Sequence, residues 1–138
     1  MVAKILRPVG YAGLLLLLFM SAGYAQSLDP LAPENLAIIE QNGPGNQATI
    51  EQQQGGLTGS LNEAIQNQLG LNNQATITQR GSNNHAEQHQ DGENNVLELH
   101  QDGEGHSAVQ IQRGNNLTHR LEQFGPAGPP VTITQEQF

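Results

Sequence analysis

An eleven-residue repeat constrains this chain more than any other feature of its sequence. From Asn73 the blocks read NQATITQRGSN, NHAEQHQDGEN, NVLELHQDGEG, HSAVQIQRGNN and LTHRLEQFG. If the first residue of a block is offset 0, offset 6 is always Gln and offset 8 is always Gly. A period this regular predicts a repeat architecture, in which each unit buries its face only by stacking on its neighbours.

The residues within each block favour a strand over a helix. Eleven residues also suit three turns of a helix at about 3.67 residues per turn, but the preference here changes at every second position, which is the period of a strand. The blocks end in Gly and usually Asn, which tolerate left-handed backbone and interrupt helices. From residue 35 to residue 125, every charged residue lies at an odd offset: Glu40, Glu51, Glu63, Arg80, Glu87, Asp91, Glu93, Glu98, Asp102, Glu104, Arg113, Arg120 and Glu122. We therefore predict strands with one dry face and one wet face, joined by short arcs.

Alternate blocks resemble each other more than adjacent ones, which sets the size of one coil. At offset 4 one series carries Gln66, Gln88 and Gln110, whereas the other carries Ile50, Ile77, Leu99 and Leu121, and only Ile39 departs from the alternation. The prediction is an all-β fold, a flattened parallel β-solenoid of 11-residue strand–arc units with 22 residues per rung. In such a stack, in-register Asn and Gln side chains hydrogen-bond along their own columns, as in amyloid.

Two sets of residues are predicted to build this stack. The expected ladder residues are Asn35, Gln41, Asn46, Gln52, Asn62, Gln68, Asn73, Gln79, Asn84, Gln90, Asn95, Gln101, Gln112, Gln123 and Gln135. The expected arc glycines are Gly43, Gly70, Gly81, Gly92, Gly103, Gly114 and Gly125. Five residues interrupt the period around 56–59, and a second slip at 126–130 precedes a ninth strand, both at arcs, where insertions cost little.

The first 25 residues are predicted to be a secretory signal peptide. Lys4 and Arg7 precede an apolar run, and Gly23-Tyr24-Ala25 provides a small-x-small cleavage site. The run is shorter than the ~20 residues of a spanning helix. Residues 26–34 form an irregular, proline-containing lead-in, and 35–138 form the solenoid of nine strands.

Composition excludes several classes of function. After residue 25, three arginines face thirteen acidic residues, a net charge of −10, which opposes nucleic acid and anionic membranes as partners. The chain has no cysteine and no tryptophan, and Gln and Asn stand where a conventional core would place Leu and Val. We expect no disulfide and an interior built on polar ladders.

The repeat resembles the curlin family, the subunits of the bacterial curli amyloid fibre. Asn46–Gln52, Asn73–Gln79 and Asn95–Gln101 match the Asn-led half of its motif, and Gln41-x-Gly43-x-x-Asn46 and Gln90-x-Gly92-x-x-Asn95 match its hinge. The likeness covers 35–138. It departs where Asn35, Asn62, Asn84 and His106 replace the family's Ser and Leu117 replaces an Asn. QSLDPLAPE also replaces the Gly-rich leader of a major subunit, which favours a minor, nucleating subunit. The resemblance implies a curli-type secretion channel, chaperones and a second curlin subunit as partners.

The sequence gives only weak indications of a metal site or a catalytic site. His85 and His89 share a strand face, but His100 falls on the opposite sheet, so a metal site is not expected. Asp91 and Asp102 also fall on opposite sheets, and their QDG turns are typical of solvated arcs. We therefore expect no enzyme and no cofactor.

Two functions are compatible with the pattern. The first is a secreted structural subunit that polymerises with itself into an extracellular fibre at the bacterial cell surface, for adhesion and biofilm matrix. The second is a soluble, monomeric solenoid that binds a surface ligand or polysaccharide. Under the first hypothesis, Arg80, Asp91 and Asp102 are expected to act as gatekeepers, charges that slow strand pairing.

Overall fold

The computed structural model describes residues 2–5, 15–16, 35–54 and 61–137, and the regular structure in these residues is entirely β. The strands are β1 (Val2–Ile5), β2 (Leu15–Leu16), β3 (Leu36–Asn42), β4 (Gln47–Gln54), β5 (Glu63–Leu71), β6 (Gln74–Ser82), β7 (His85–Glu93), β8 (Val96–Glu104), β9 (Ser107–Asn115), β10 (Thr118–Pro126) and β11 (Val131–Glu136).

The strands alternate between two parallel sheets. The odd sheet has the order β1-β3-β5-β7-β9-β11, and the even sheet has the order β10-β8-β6-β4-β2. Each strand pairs with the strand two positions along the chain, so Ala64 pairs with Ala86 and Gly70 with Gly92. The predicted 22-residue coil is confirmed: the fold is a flattened β-solenoid in which successive coils stack like on like.

Both interruptions of the period are absorbed outside the paired strands. Asn62 N–H donates to the Asn35 side chain, 27 residues earlier rather than 22, yet both remain at offset 0. Val131 pairs with Ala108 at offset 2 after the second slip. The first interruption falls mostly on residues 55–60, which lie outside the described residues. Because the face of a side chain depends on its offset within the block, a slip confined to an arc leaves the core unchanged.

The predicted dry face is confirmed by burial. Apolar core positions at even offsets include Ala64, Ile77, Ala86 and Leu99, all at most 2% exposed. Buried amides and the imidazole of His106 fill most of the remaining inward positions of the central coils. On β10 and β11 the same offsets are only half-buried, because among the described strands no further coil covers that end.

The arcs require glycine because successive coils approach closely there. Gly92 has φ +134°, and a Cβ added to it would lie 1.9 Å from the Gly114 carbonyl oxygen of the next coil. The left-handed position at offset 10 is Gly45 or Gly105 in two arcs and asparagine in four others, Asn72, Asn83, Asn94 and Asn116. Asparagine is among the non-glycine residues most often found in this conformation.

At the N-terminal end, β1 pairs with β3 and β2 with β4. Both short strands belong to the predicted signal peptide, and the other residues of 1–25 and the lead-in 26–34 lie outside the described part of the chain. The signal peptide therefore stays a prediction. In the described residues, no helix has the length and apolar character needed to span a membrane.

Candidate functional site

Two glutamine ladders run through the interior at offset 6. In the odd sheet, Nε2 of each Gln donates to Oε1 of the Gln in the next coil, along Gln41, Gln68, Gln90, Gln112 and Gln135, at 2.6–3.1 Å. In the even sheet the same chain joins Gln52, Gln79, Gln101 and Gln123 at 2.8–2.9 Å. The structure therefore places all the predicted Gln ladder residues in two continuous columns.

Except in Gln41 and Gln135, each ladder amide also ties one sheet to the other. Gln79 Nε2 donates to the backbone oxygen of Glu63 at 2.9 Å, and Gln90 Nε2 donates to that of Gln74 at 2.9 Å. The acceptors lie on facing strands of the opposite sheet. The amide thus satisfies two donors in a buried site, where an unpaired polar group is costly, and it provides cohesion that a small Ala-rich core lacks.

A third ladder lies at offset 4 of the odd sheet. Gln66 donates to Gln88 at 3.0 Å, and Gln88 donates to Gln110 at 2.8 Å. All three side chains are fully buried. The recurrence of Gln at offset 4 in alternate blocks was its signal in the sequence, but these residues were absent from the predicted ladder set.

The asparagines at offset 0 form ladders of a different kind, between side chain and backbone. Asn73 Oδ1 accepts the N–H of Asn95 at 3.1 Å, and Asn73 Nδ2 donates to the Gly92 oxygen at 2.9 Å. The pattern extends over Asn35, Asn46, Asn62, Asn73, Asn84 and Asn95, whose Oδ1 atoms accept from the next coil. These residues therefore brace the glycine arcs against the adjacent coil.

All the glutamine ladders have the same polarity, so the two ends of the stack differ. At the N-terminal end, the buried Oε1 atoms of Gln41 and Gln52 have no hydrogen-bond partner among the described residues. At the C-terminal end, Gln123 and Gln135 accept from the preceding coil. Their Nε2 groups are the next donors in the two columns. The stack thus has an acceptor end and a donor end.

The C-terminal end also presents two strand edges. Within the described part of the chain, β10 pairs only with β8 and β11 only with β9. Phe124 on β10 is 60% exposed. The outer edges of β10 and β11 therefore offer backbone donors and acceptors to a further strand, which is the property that permits edge-to-edge assembly.

The stacking register changes the interpretation of the three predicted gatekeepers. Arg80 pairs with Asp102 in the even sheet, and Asp91 pairs with Arg113 in the odd sheet. Opposite charges therefore adjoin inside one molecule, and the repulsion expected from like charges in neighbouring coils is absent at these positions. That Arg80, Asp91 and Asp102 slow strand pairing in a fibre stays a prediction.

Among the described residues, the contacts between histidines and carboxylates are pairwise. His85 Nδ1 lies 3.0 Å from Glu63 Oε2, and His89 Nε2 lies 2.5 Å from Glu87 Oε1. Within the described ranges, no group of three or more His, Cys, Asp or Glu side chains is arranged to hold a metal ion. Asp91 lies in the odd sheet and Asp102 in the even sheet, so these carboxylates do not share a site.

Comparisons with protein-family models, with curated proteins and with solved structures give no match for this chain.

Proposed function

We propose that this protein is a secreted structural subunit that polymerises into an extracellular amyloid fibre of the curli type, serving adhesion and biofilm matrix. The observation that carries the proposal is the combination of continuous amide ladders with strand edges that remain open at the end of the stack. The same ladders and edges are the features that a second copy would extend.

Energetics favour assembly over an isolated monomer. The fully apolar core consists of alanines and a few Ile and Leu side chains, among them Ile50, Ile77 and Leu99. Ordering a residue costs about 1–2 kcal/mol of backbone entropy, which so small an apolar core offsets poorly at ~25 cal/mol per Å². Each added coil brings a full set of ladder hydrogen bonds, so the ordered state gains most when many coils stack.

The overall charge agrees with an exported fibre subunit. The chain after residue 25 is strongly acidic, which keeps free subunits soluble through mutual repulsion. Its charges lie on the outer faces, where water and salt screen them within a fibre. The resemblance to curlins adds the secretion channel, chaperones and second subunit as proposed partners.

The test follows the chain from Gln26 after dilution from denaturant. We expect thioflavin fluorescence to rise after a lag and the product to show cross-β reflections near ~4.8 Å and ~10 Å. Thr76→Pro, in the middle of β6, should abolish fibres, because proline removes a ladder donor in a central strand. Ala127→Pro, in the arc between β10 and β11, is the matched control and should still form them.

A cooperatively folded monomer that stays soluble on standing, binds no thioflavin and gives no ~4.8 Å reflection would overturn the proposal. That result would favour the alternative, a soluble solenoid that binds a ligand or polysaccharide on its outer faces. Retention of fibres by Thr76→Pro would show instead that the polymer does not use the coils described above.

A further inference from the structure

We propose that successive copies in the fibre are related by a half-turn about the fibre axis, which exchanges the two sheets at every junction. In this arrangement β10 is covered by β3 of the next copy, and β11 is covered by β4 of the next copy. The inference rests on the proposed function and specifies the interface through which the fibre grows.

The argument begins with the number of strands. Beyond the predicted signal peptide, the described residues hold nine strands, five in the odd sheet and four in the even sheet. If the next copy were added without rotation, its β3 would follow β11, and its β4 would lie two rung spacings beyond β10. The even sheet would then lack one strand, and the facing edges of β10 and β4 would stay unpaired, at the cost of burying unsatisfied backbone groups. A half-turn removes the gap, because β3 then continues the even sheet.

The half-turn is compatible with the solenoid because the two sheets are nearly equivalent. Most strand–arc units share one design, with a left-handed glycine at offset 8 in both sheets, such as Gly92 in β7 and Gly103 in β8. In β4 this offset is occupied by Gln54. Consecutive strands within one copy are therefore already related by a half-turn about the solenoid axis and a shift of half the rung spacing along it. The junction would repeat the operation that relates β10 to β11.

The glutamine ladders would continue across this junction. The donor end presents Gln123 in the even sheet and Gln135 in the odd sheet. The acceptor end presents the buried Oε1 atoms of Gln41 and Gln52, which have no partner among the described residues. With the half-turn, Gln123 is followed by Gln41 of the next copy and Gln135 by Gln52. All four residues lie at offset 6, so each orphaned acceptor receives a donor of the kind it has elsewhere in the stack.

The exceptional residue at offset 4 also finds a match. Ile39 and Ile133, in the first and last strands of the odd sheet after residue 34, stand where the strands between them carry glutamine, and Ile39 leaves the buried Oε1 of Gln66 without a partner. Within one molecule the exception is therefore unfavourable. Across the half-turn junction, Ile39 follows Leu121 of the even sheet, and Ile133 of β11 is followed by Ile50. The first contact continues the apolar column of the even sheet, and the second places one apolar side chain on another.

One contact across this junction is unfavourable. The register places Glu40 of the next copy beside Glu122 on the wet face, both at offset 5. Arg120 already donates to Glu122 and lies near Glu98, which offsets part of the repulsion. In the full chain β1 and β2 occupy the edges of β3 and β4, so the proposal concerns the chain that begins at Gln26.

The test uses pairs of introduced cysteines, because the chain has none of its own. Thr49→Cys with Thr132→Cys places two outward side chains at offset 3 on β4 and β11, which adjoin only across a half-turn junction. Neighbouring parallel strands lie ~4.8 Å apart, within the Cα separation that a disulfide accepts. Ile38→Cys with Thr132→Cys is the matched pair for an unrotated junction. Within one molecule neither pair is adjacent, since β11 pairs with β9.

Each variant would be polymerised under reducing conditions, oxidised as a fibre, and run on a non-reducing denaturing gel. We expect covalent multimers from the 49/132 pair, and monomers from the 38/132 pair and from Thr132→Cys alone. Multimers from the 38/132 pair, or monomers from both pairs, would overturn the half-turn while leaving the fibre intact. If the unmodified chain forms no cross-β fibre, the proposed function itself is wrong.

A variant that fails to polymerise does not end the test. Glu51→Cys with Thr134→Cys repeats the half-turn contact at offset 5, and Glu40→Cys with Thr134→Cys repeats the unrotated one. The expected gel result is again multimers from the half-turn pair and monomers from the unrotated pair, and the reverse would overturn the half-turn. These side chains also lie on the wet face.

Discussion

Replacement of Gln79 by alanine, compared with replacement of its neighbour Thr78, measures what the amide ladder contributes. Gln79 is fully buried, whereas Thr78 lies on the outer face of the same strand. The Gln79 side chain accepts from Gln52 at 2.8 Å and donates to Gln101 Oε1 and to the Glu63 backbone oxygen, both at 2.9 Å.

The cost of Gln79→Ala follows from the partners that would remain. Gln52 Nε2 keeps two backbone acceptors, Leu36 and Asn62, at 3.0 Å. Gln101 Oε1 and the Glu63 carbonyl lose the side-chain donor they have in the ladder. The Glu63 carbonyl remains in the backbone ladder between β5 and β7, so Gln101 Oε1 is the group left without a donor. One unsatisfied buried polar group costs about 1–3 kcal/mol, and with the cavity that alanine leaves, the ordered state loses about 2 kcal/mol. Thr78→Ala removes no buried contact and should stay within about 0.5 kcal/mol of neutral.

The assay is the concentration of soluble protein left when the fibres have reached equilibrium. Since 1.4 kcal/mol is a tenfold change in an equilibrium constant, a loss of about 2 kcal/mol raises that concentration roughly 30-fold. The Thr78→Ala chain should change it by no more than about twofold. Equal increases for the two variants, or no increase for Gln79→Ala, would refute the inward ladder as a source of stability.

Three further outcomes are expected. Circular dichroism of freshly diluted protein should show a largely disordered chain that forms β-structure after a lag, and preformed seeds should abolish the lag. A folded monomer whose kinetics do not change when seeds are added would contradict this. Gly92→Ala should slow fibre formation at least tenfold, because Gly92 has φ +134° and the added Cβ would lie 1.9 Å from the Gly114 oxygen. Gly128→Ala, whose added Cβ would meet open space, should have little effect in the same thioflavin assay. Deletion of Val131–Phe138 should lengthen the lag, because it removes β11, the strand of the odd sheet on which a further copy would dock. An unchanged lag would show that growth does not depend on β11.

The sequence alone determined the period, the faces and the arcs. The strand alternation of the blocks assigned Ile77 and Gln79 to the interior and Thr78 to the surface. The glycines at offset 8 marked the positions where coils approach closely. These features are predictable because a strand's side-chain direction and a glycine's left-handed backbone are properties of a few consecutive residues.

The tertiary structure alone decided which residues adjoin across coils and how the two ends differ. Register pairs Arg80 with Asp102, so opposite charges from two different blocks of the repeat adjoin. The common polarity of the glutamine ladders, which leaves an acceptor end and a donor end, also appears only in the fold. The physical reason is that a charge or an amide acts on its neighbour in the next coil, about 22 residues away in sequence, and the direction of an amide hydrogen bond depends on the whole column rather than on any one block.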